Sequence, residues 1–166
     1  MIPTSSKRLE ENRTETLFLL MKPNLTILDQ SKHQLIYEMV DLIGYADYWY
    51  RDLSASQLCN LLIAPVILDQ YKIIKENDRL VAFATYAKMS PNVVAKWLLH
   101  KNKLALEDWQ SGKELWFMDA VAPFGHGTKI ARSLISYLAK EAGYKGQKLR
   151  FRRNYGRNRR DSYVLL

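Results

Sequence analysis

Leu115-Trp116-Phe117-Met118-Asp119-Ala120-Val121-Ala122 runs into Pro123-Phe124-Gly125-His126-Gly127, and a helical pattern follows at once from Thr128 to Ala142. The first stretch is almost wholly apolar, which predicts a strand covered on both faces and therefore central in its sheet. In the helical stretch Ile130, Leu134, Ile135 and Leu138 recur at three- and four-residue spacing, and Gly143 supplies the stop. A buried strand, a glycine-bearing loop and an amphipathic helix form the centre of an α/β layer.

The flanking sequence extends that layer. Tyr71–Lys75 and Arg79–Tyr86 read as strands joined at Asn77-Asp78, a dipeptide suited to a hairpin turn. Ser90-Pro91 reads as the N-cap and first turn of a helix carrying Val94, Trp97 and Leu98. Upstream, Leu35, Ile36, Met39, Val40 and Ile43 give a helical stripe between Asp29 and Ala46, capped by Asp29 or Ser31. Ser54 opens a second helix, expected to break before Pro65. Lys148–Arg152 and Ser162–Leu166 read as final strands. The expected fold is therefore α/β (α+β), one mixed central sheet flanked by helices. Residues 1–28 read as an N-terminal extension and residues 29–166 as a single domain.

Composition narrows the function. With 48% apolar residues and little Gly or Pro, the chain has the makings of a globular core. The longest apolar run, near Leu61–Leu68, falls short of the roughly 20 residues a membrane span needs. The N-terminus lacks the apolar stretch of a secretory signal, so a cytoplasmic location is expected. The single cysteine, Cys59, excludes an internal disulfide and reads as a buried structural thiol. A net charge of +8 favours acidic partners: nucleic acid, anionic lipid, or an acidic carrier protein.

Chemistry gathers around the central strand. Asp119 is a carboxylate within an apolar run. Burying it is costly without a partner, and burial raises its pKa toward proton-transfer use. His126, in the loop that follows this strand, is the second candidate acid–base group, or a plain surface residue. The loop holding Gly125 and Gly127 suits an oxyanion or phosphate at a helix start, or is simply a tight turn. His33 and His100 read as surface residues, and the His and Cys inventory excludes an ordinary zinc site. Arg150, Arg152, Arg153, Arg157, Arg159 and Arg160 crowd the C-terminus around Phe151 and Tyr155. They read as an edge strand presenting Arg150 and Arg152 to an acidic protein, or as a solvated tail. No motif supports nucleic acid.

Three sequence words, Glu107-Asp108-Trp109-Gln110-Ser111-Gly112, Trp116-Phe117-Met118-Asp119 and Ala122-Pro123-Phe124-Gly125, resemble the toxin-activating lysine acyltransferases of the RTX (hemolysin-activating) type. Ala82-Phe83-Ala84-Thr85-Tyr86-Ala87 is similar to the same family's second hairpin strand, so about half the chain is covered. The resemblance implies an N-acetyltransferase-like fold and a cytoplasmic bacterial enzyme. No bound cofactor is implied; the acyl donor is carried by acyl carrier protein, and the acceptor is a toxin or bacteriocin peptide. It places the family's catalytic Asp on Asp119. The family's His, followed by Arg, falls on Tyr50, followed by Arg51, so that Arg51 joins the glycine loop, Arg150 and Arg152 as a substrate-binding candidate. A phenol, with its pKa near ~10, is no base at neutral pH. The proton acceptor is then Asp119 or His126, with Tyr50 a hydrogen-bond or proton donor. Relatives of the family also join a siderophore to a microcin's C-terminus with a partner subunit, which gives an alternative function. A homodimer and a catalytically silent binding module are further alternatives.

Overall fold

In the computed structural model, residues 29–46, 50, 52–100, 104–155 and 158–166 are described. The N-terminal extension (1–28) and Arg51 lie outside them. The elements run α1 (Gln30–Gly44), α2 (Ala55–Ile67), β1 (Tyr71–Glu76), β2 (Arg79–Met89), α3 (Pro91–His100), a 3-10 turn (Glu107–Gln110), β3 (Glu114–Val121), α4 (Gly127–Lys140), β4 (Lys148–Tyr155) and β5 (Asn158–Leu165). They form one five-stranded sheet in the order β1-β2-β3-β4-β5. Only β3 and β4 are parallel, with α4 as their crossover, so the sheet is mixed, as the sequence predicts.

Local chemistry accounts for the elements. Asn77 and Asp78 both have positive φ, the backbone of a tight hairpin that short polar side chains tolerate. Asp29 caps α1 by accepting from the Lys32 amide at 2.8 Å, and Ser54 and Gln57 form a reciprocal capping box on α2. On one sheet face α1 and α2 bury Leu35, Met39, Leu42, Leu62 and Val66 against Leu80, Phe83 and Val121. Further along that face, Val94, Trp109 and Trp116 pack with Ala87 and Met89. The opposite face is covered by Ile130, Leu134 and Leu138 of α4, over Ala82, Ala84, Leu115 and Leu149.

Four expectations are corrected. The α1 stripe runs through Leu42 rather than Val40, which is exposed, because Leu35, Met39, Leu42 and Ala46 keep the period of the buried face. Helix α2 continues through Pro65 to Ile67. The proline sits in its last turn, where Leu68 N–H still reaches the Ala64 carbonyl and Lys32 Nζ reaches the Ile67 carbonyl at 3.0 Å. Cys59 is exposed, since it lies off the Leu58–Leu62–Val66 stripe. Finally, β4 is internal and β5 is the edge strand.

The Glu107–Gly112 word turns out to be a structural lock. Trp109 is buried, its carbonyl accepts from Gln70 Nε2 at 3.2 Å, and Ser111 Oγ accepts from the Ser90 amide at 3.0 Å. Gly112 passes so close to Met89 and Ser90 that an added Cβ would lie 2.4 Å from the Ser90 nitrogen. Backbone on both sides leaves nothing soft to yield. Gly112→Ala is therefore expected to destabilise the fold by about 2 kcal/mol or more, measured by urea unfolding. A shift within about 0.5 kcal/mol would show that the lock can open freely.

Candidate acyl-transfer site

Strand β3 places its carboxylate through an irregularity. Phe117 pairs with Tyr86 and Asp119 with Thr85, leaving Met118 as an extra residue opposite no partner. Such a bulge reverses the alternation of side chains beyond it. Phe117 packs toward α4 and Met118 toward the other face, and Asp119 then falls on that second face as well, with Val121. The β3–β4 ladder also ends here: its pairs are Leu115 with Leu149, Trp116 with Arg150 and Phe117 with Phe151. Beyond Phe117 the two parallel strands part, and Asp119 stands beside the opening.

Tyr50 meets Asp119 on this face. It packs against the α1–α2 core, and its hydroxyl donates to Asp119 Oδ1 and lies 3.3 Å from the Ala120 carbonyl oxygen. The Ala120 amide donates to the same Oδ1 at 2.8 Å. Oδ2 receives no hydrogen bond from the described residues. Burial pushes the Asp119 carboxyl above its ordinary range, while the Tyr50 hydroxyl and Ala120 amide pull it back toward the charged form. One oxygen is thus held by two donors, and the other is left to take a proton.

The remaining candidates distribute elsewhere. His126 Nε2 lies 3.1 Å from Glu76 Oε1, and Lys129 Nζ reaches the same oxygen at 3.3 Å. His126 therefore ties the start of α4 to the β1–β2 hairpin, its partner being Glu76 rather than Asp119. Gly125 has φ +88 and its amide donates to the Ala122 carbonyl at 3.3 Å, a tight turn that needs glycine. Gly127 opens α4 with empty space beside it. Arg150 lies 3.7 Å from Glu114, and Arg152 bonds Asp161 at 2.9 and 3.4 Å beneath the Trp97 ring. Both arginines are thus already engaged across the sheet. Among the described residues no cluster of metal-ligating side chains occurs, and no helix is long and apolar enough to cross a membrane.

A model of the RTX toxin acyltransferase family matches residues 29–161, from the start of α1 into β5. The chain belongs to that family. It is 31% identical over 85 residues to the leukotoxin-activating lysine-acyltransferase of Pasteurella haemolytica-like sp. (strain 5943B), covering 51% of this chain and 52% of that protein. Over 117 residues it is 30% identical to the serotype A1 leukotoxin-activating lysine-acyltransferase of Mannheimia haemolytica, 60% of this chain and 70% of that one. A protein-lysine myristoyltransferase of Kingella kingae is 33% identical over 78 residues, 45% and 47% of the two chains. The chain spans about half the length of most of these relatives. Tyr50 and Asp119, to which the sequence resemblance assigns the family's His and Asp positions, are the two side chains that meet here.

Two features of the site escaped the sequence reading. The Met118 bulge has no signal in an unbroken apolar strand. Thr85 does have one: it is the only hydroxyl side chain between Val81 and Ala87 apart from the Tyr86 phenol.

Proposed function

We propose that this protein is a cytoplasmic acyltransferase that moves a fatty acyl group from acyl carrier protein to an amine of a co-produced secreted peptide, a lysine of a toxin being the first candidate. The observation that carries the reading is the Tyr50–Asp119 pair, set at the parting of β3 and β4 within the family's domain. The attacking nitrogen forms its bond to the thioester carbon and gives its proton to Asp119 Oδ2. The carbon–sulfur bond then breaks, and the carboxyl returns that proton to the departing thiolate. A carboxyl raised above its usual range suits this cycle, because it holds the proton long enough to pass it on. Tyr50 acts through Asp119, as the donor that fixes Oδ1.

The donor is acidic, and the charge of this chain is one-sided. Residues 140–166 contain nine Lys and Arg against two Asp and Glu, which leaves seven of the eight net positive charges in that segment. In the β4–β5 ladder Arg153 pairs with Arg160, so this hairpin carries part of that charge.

Mass spectrometry of a toxin peptide incubated with the protein and acyl carrier protein tests the reading. The expected result is an acyl adduct on a lysine. Failure to modify any amine while cleaving no thioester would overturn it. Replacing Arg157, Arg159 and Arg160 together with Gln should raise the KM for the carrier several-fold and flatten its salt dependence. An unchanged KM would place the carrier on another surface.

A further inference from the structure

Thr85 stands directly opposite Asp119 in the antiparallel β2–β3 ladder. Partners in such a ladder project from the same face with Cβ atoms about 5 Å apart, so the Thr85 side chain lies on the sheet face where Tyr50 holds Asp119. Its residue is fully buried, and its Oγ1 has no hydrogen-bond partner among the described residues. The neighbours on that face of β2 are Phe83 and Ala87, and both are completely buried. Valine has the same shape and would fill this place without leaving a hydroxyl unpaired. A lone hydroxyl retained beside the site's carboxylate therefore calls for a ligand that completes it.

The orphaned polar atoms on Gln70 and Trp109 differ in kind. Those residues bond each other through Gln70 Nε2 and the Trp109 carbonyl, so their spare atoms belong to the lock beneath the 3-10 turn. Thr85 alone adjoins the carboxylate by register.

The chemistry at this point needs two complementary groups. Asp119, when ionised, only accepts hydrogen bonds, and it serves the nitrogen that loses a proton. The thioester carbonyl needs the opposite, a donor aimed where negative charge develops. We propose that Thr85 is that donor, its hydroxyl hydrogen-bonding the carbonyl oxygen of the bound thioester and the oxyanion formed on attack. As the nitrogen–carbon bond forms, the carbonyl π pair moves onto the oxygen that Thr85 holds. When the pair returns, the carbon–sulfur bond breaks and the thiolate leaves with the proton relayed by Asp119. This assignment rests on the acyl-transfer reading above.

Thr85→Val, Thr85→Ser and wild type, compared in carrier-dependent transfer and in thermal unfolding, test it. Thr85→Val should unfold at the wild-type temperature or above it, since the unpaired hydroxyl is gone. Its kcat should fall by about 10²-fold with the KM for the carrier little changed. Thr85→Ser should recover most of the rate. Thr85→Val within twofold of wild type overturns the proposal while leaving acyl transfer intact. A joint loss of stability and rate in that variant, not rescued by serine, overturns it in favour of a packing role. A wild type that neither transfers nor hydrolyses the thioester sinks the acyl-transfer reading itself, and the Thr85 role with it.

Discussion

Asp119→Asn should abolish acyl transfer, with a loss of about 10²- to 10⁴-fold, and leave the fold standing. Asparagine keeps the shape, and its carbonyl oxygen can accept from both the Tyr50 hydroxyl and the Ala120 amide as Oδ1 does. What disappears is the oxygen that takes the proton, since an amide nitrogen in the Oδ2 position can only donate. The stability of the variant carries an independent signature. Because burial raises the folded-state pKa of Asp119 above its unfolded value, the folded protein binds this proton more tightly than the unfolded chain. That contribution is fully present below the ordinary carboxyl range and is lost as pH rises through the raised value. At neutral pH the ionised carboxylate is thus a burden that the neutral amide lifts. The variant should unfold at an equal or higher temperature than wild type near pH 7, and the gap should close on acidification. Circular dichroism melts across pH and mass spectrometry of the modified peptide read both effects. A variant with half the wild-type rate would remove Asp119 from the chemistry, whatever its stability.

What the sequence made legible follows from where its signals are local. The β1–β2 hairpin was readable because Asn77 and Asp78 carry their turn preference in their own side chains, and α4 because its apolar stripe is regular. The central place of β3 was readable because both of its faces are apolar. Edges and breaks depended on tertiary context instead. The Arg-rich strand β4 looks like an edge from its alternation, yet Asp161 and Glu114 supply its counter-charges from neighbouring strands. Pro65 looks like a stop, yet the helix runs two residues past it to Ile67, with Val66 fully buried against the sheet. At the site, pairing Tyr50 with Asp119 needed a residue separation of 69 to be bridged, which periodicity does not carry. The family resemblance supplied that pairing. The bulge that turns Asp119 toward Tyr50 was invisible, because an extra residue in an apolar strand reads like any other.

Tyr50→Phe should cut kcat/KM by about tenfold or more and shift its acid limb to higher pH. The phenol hydroxyl is one of two donors that favour the ionised carboxylate, and removing it leaves the Ala120 amide alone against burial. The carboxyl then rises further, and a larger share of the enzyme holds its proton at neutral pH, when Oδ2 must be empty to accept one. A residue with a merely structural role would lower activity equally at all pH values, so the displaced limb is the decisive readout. Tyr50→His provides the complement. An imidazole N–H can donate to Oδ1 as the phenol does, and it adds a group whose unperturbed pKa near ~6.5 is suited to proton transfer. The histidine variant should match or exceed wild type on a toxin lysine with the acid limb close to its wild-type place. If Tyr50→Phe is silent and only Tyr50→His modifies the toxin peptide, the tyrosine marks a chain whose natural acceptor is a different peptide chemistry. In that case a microcin-type peptide and a siderophore, with a partner subunit present, become the substrates to offer, and the siderophore's mass added at the peptide's C-terminus would identify the joining reaction.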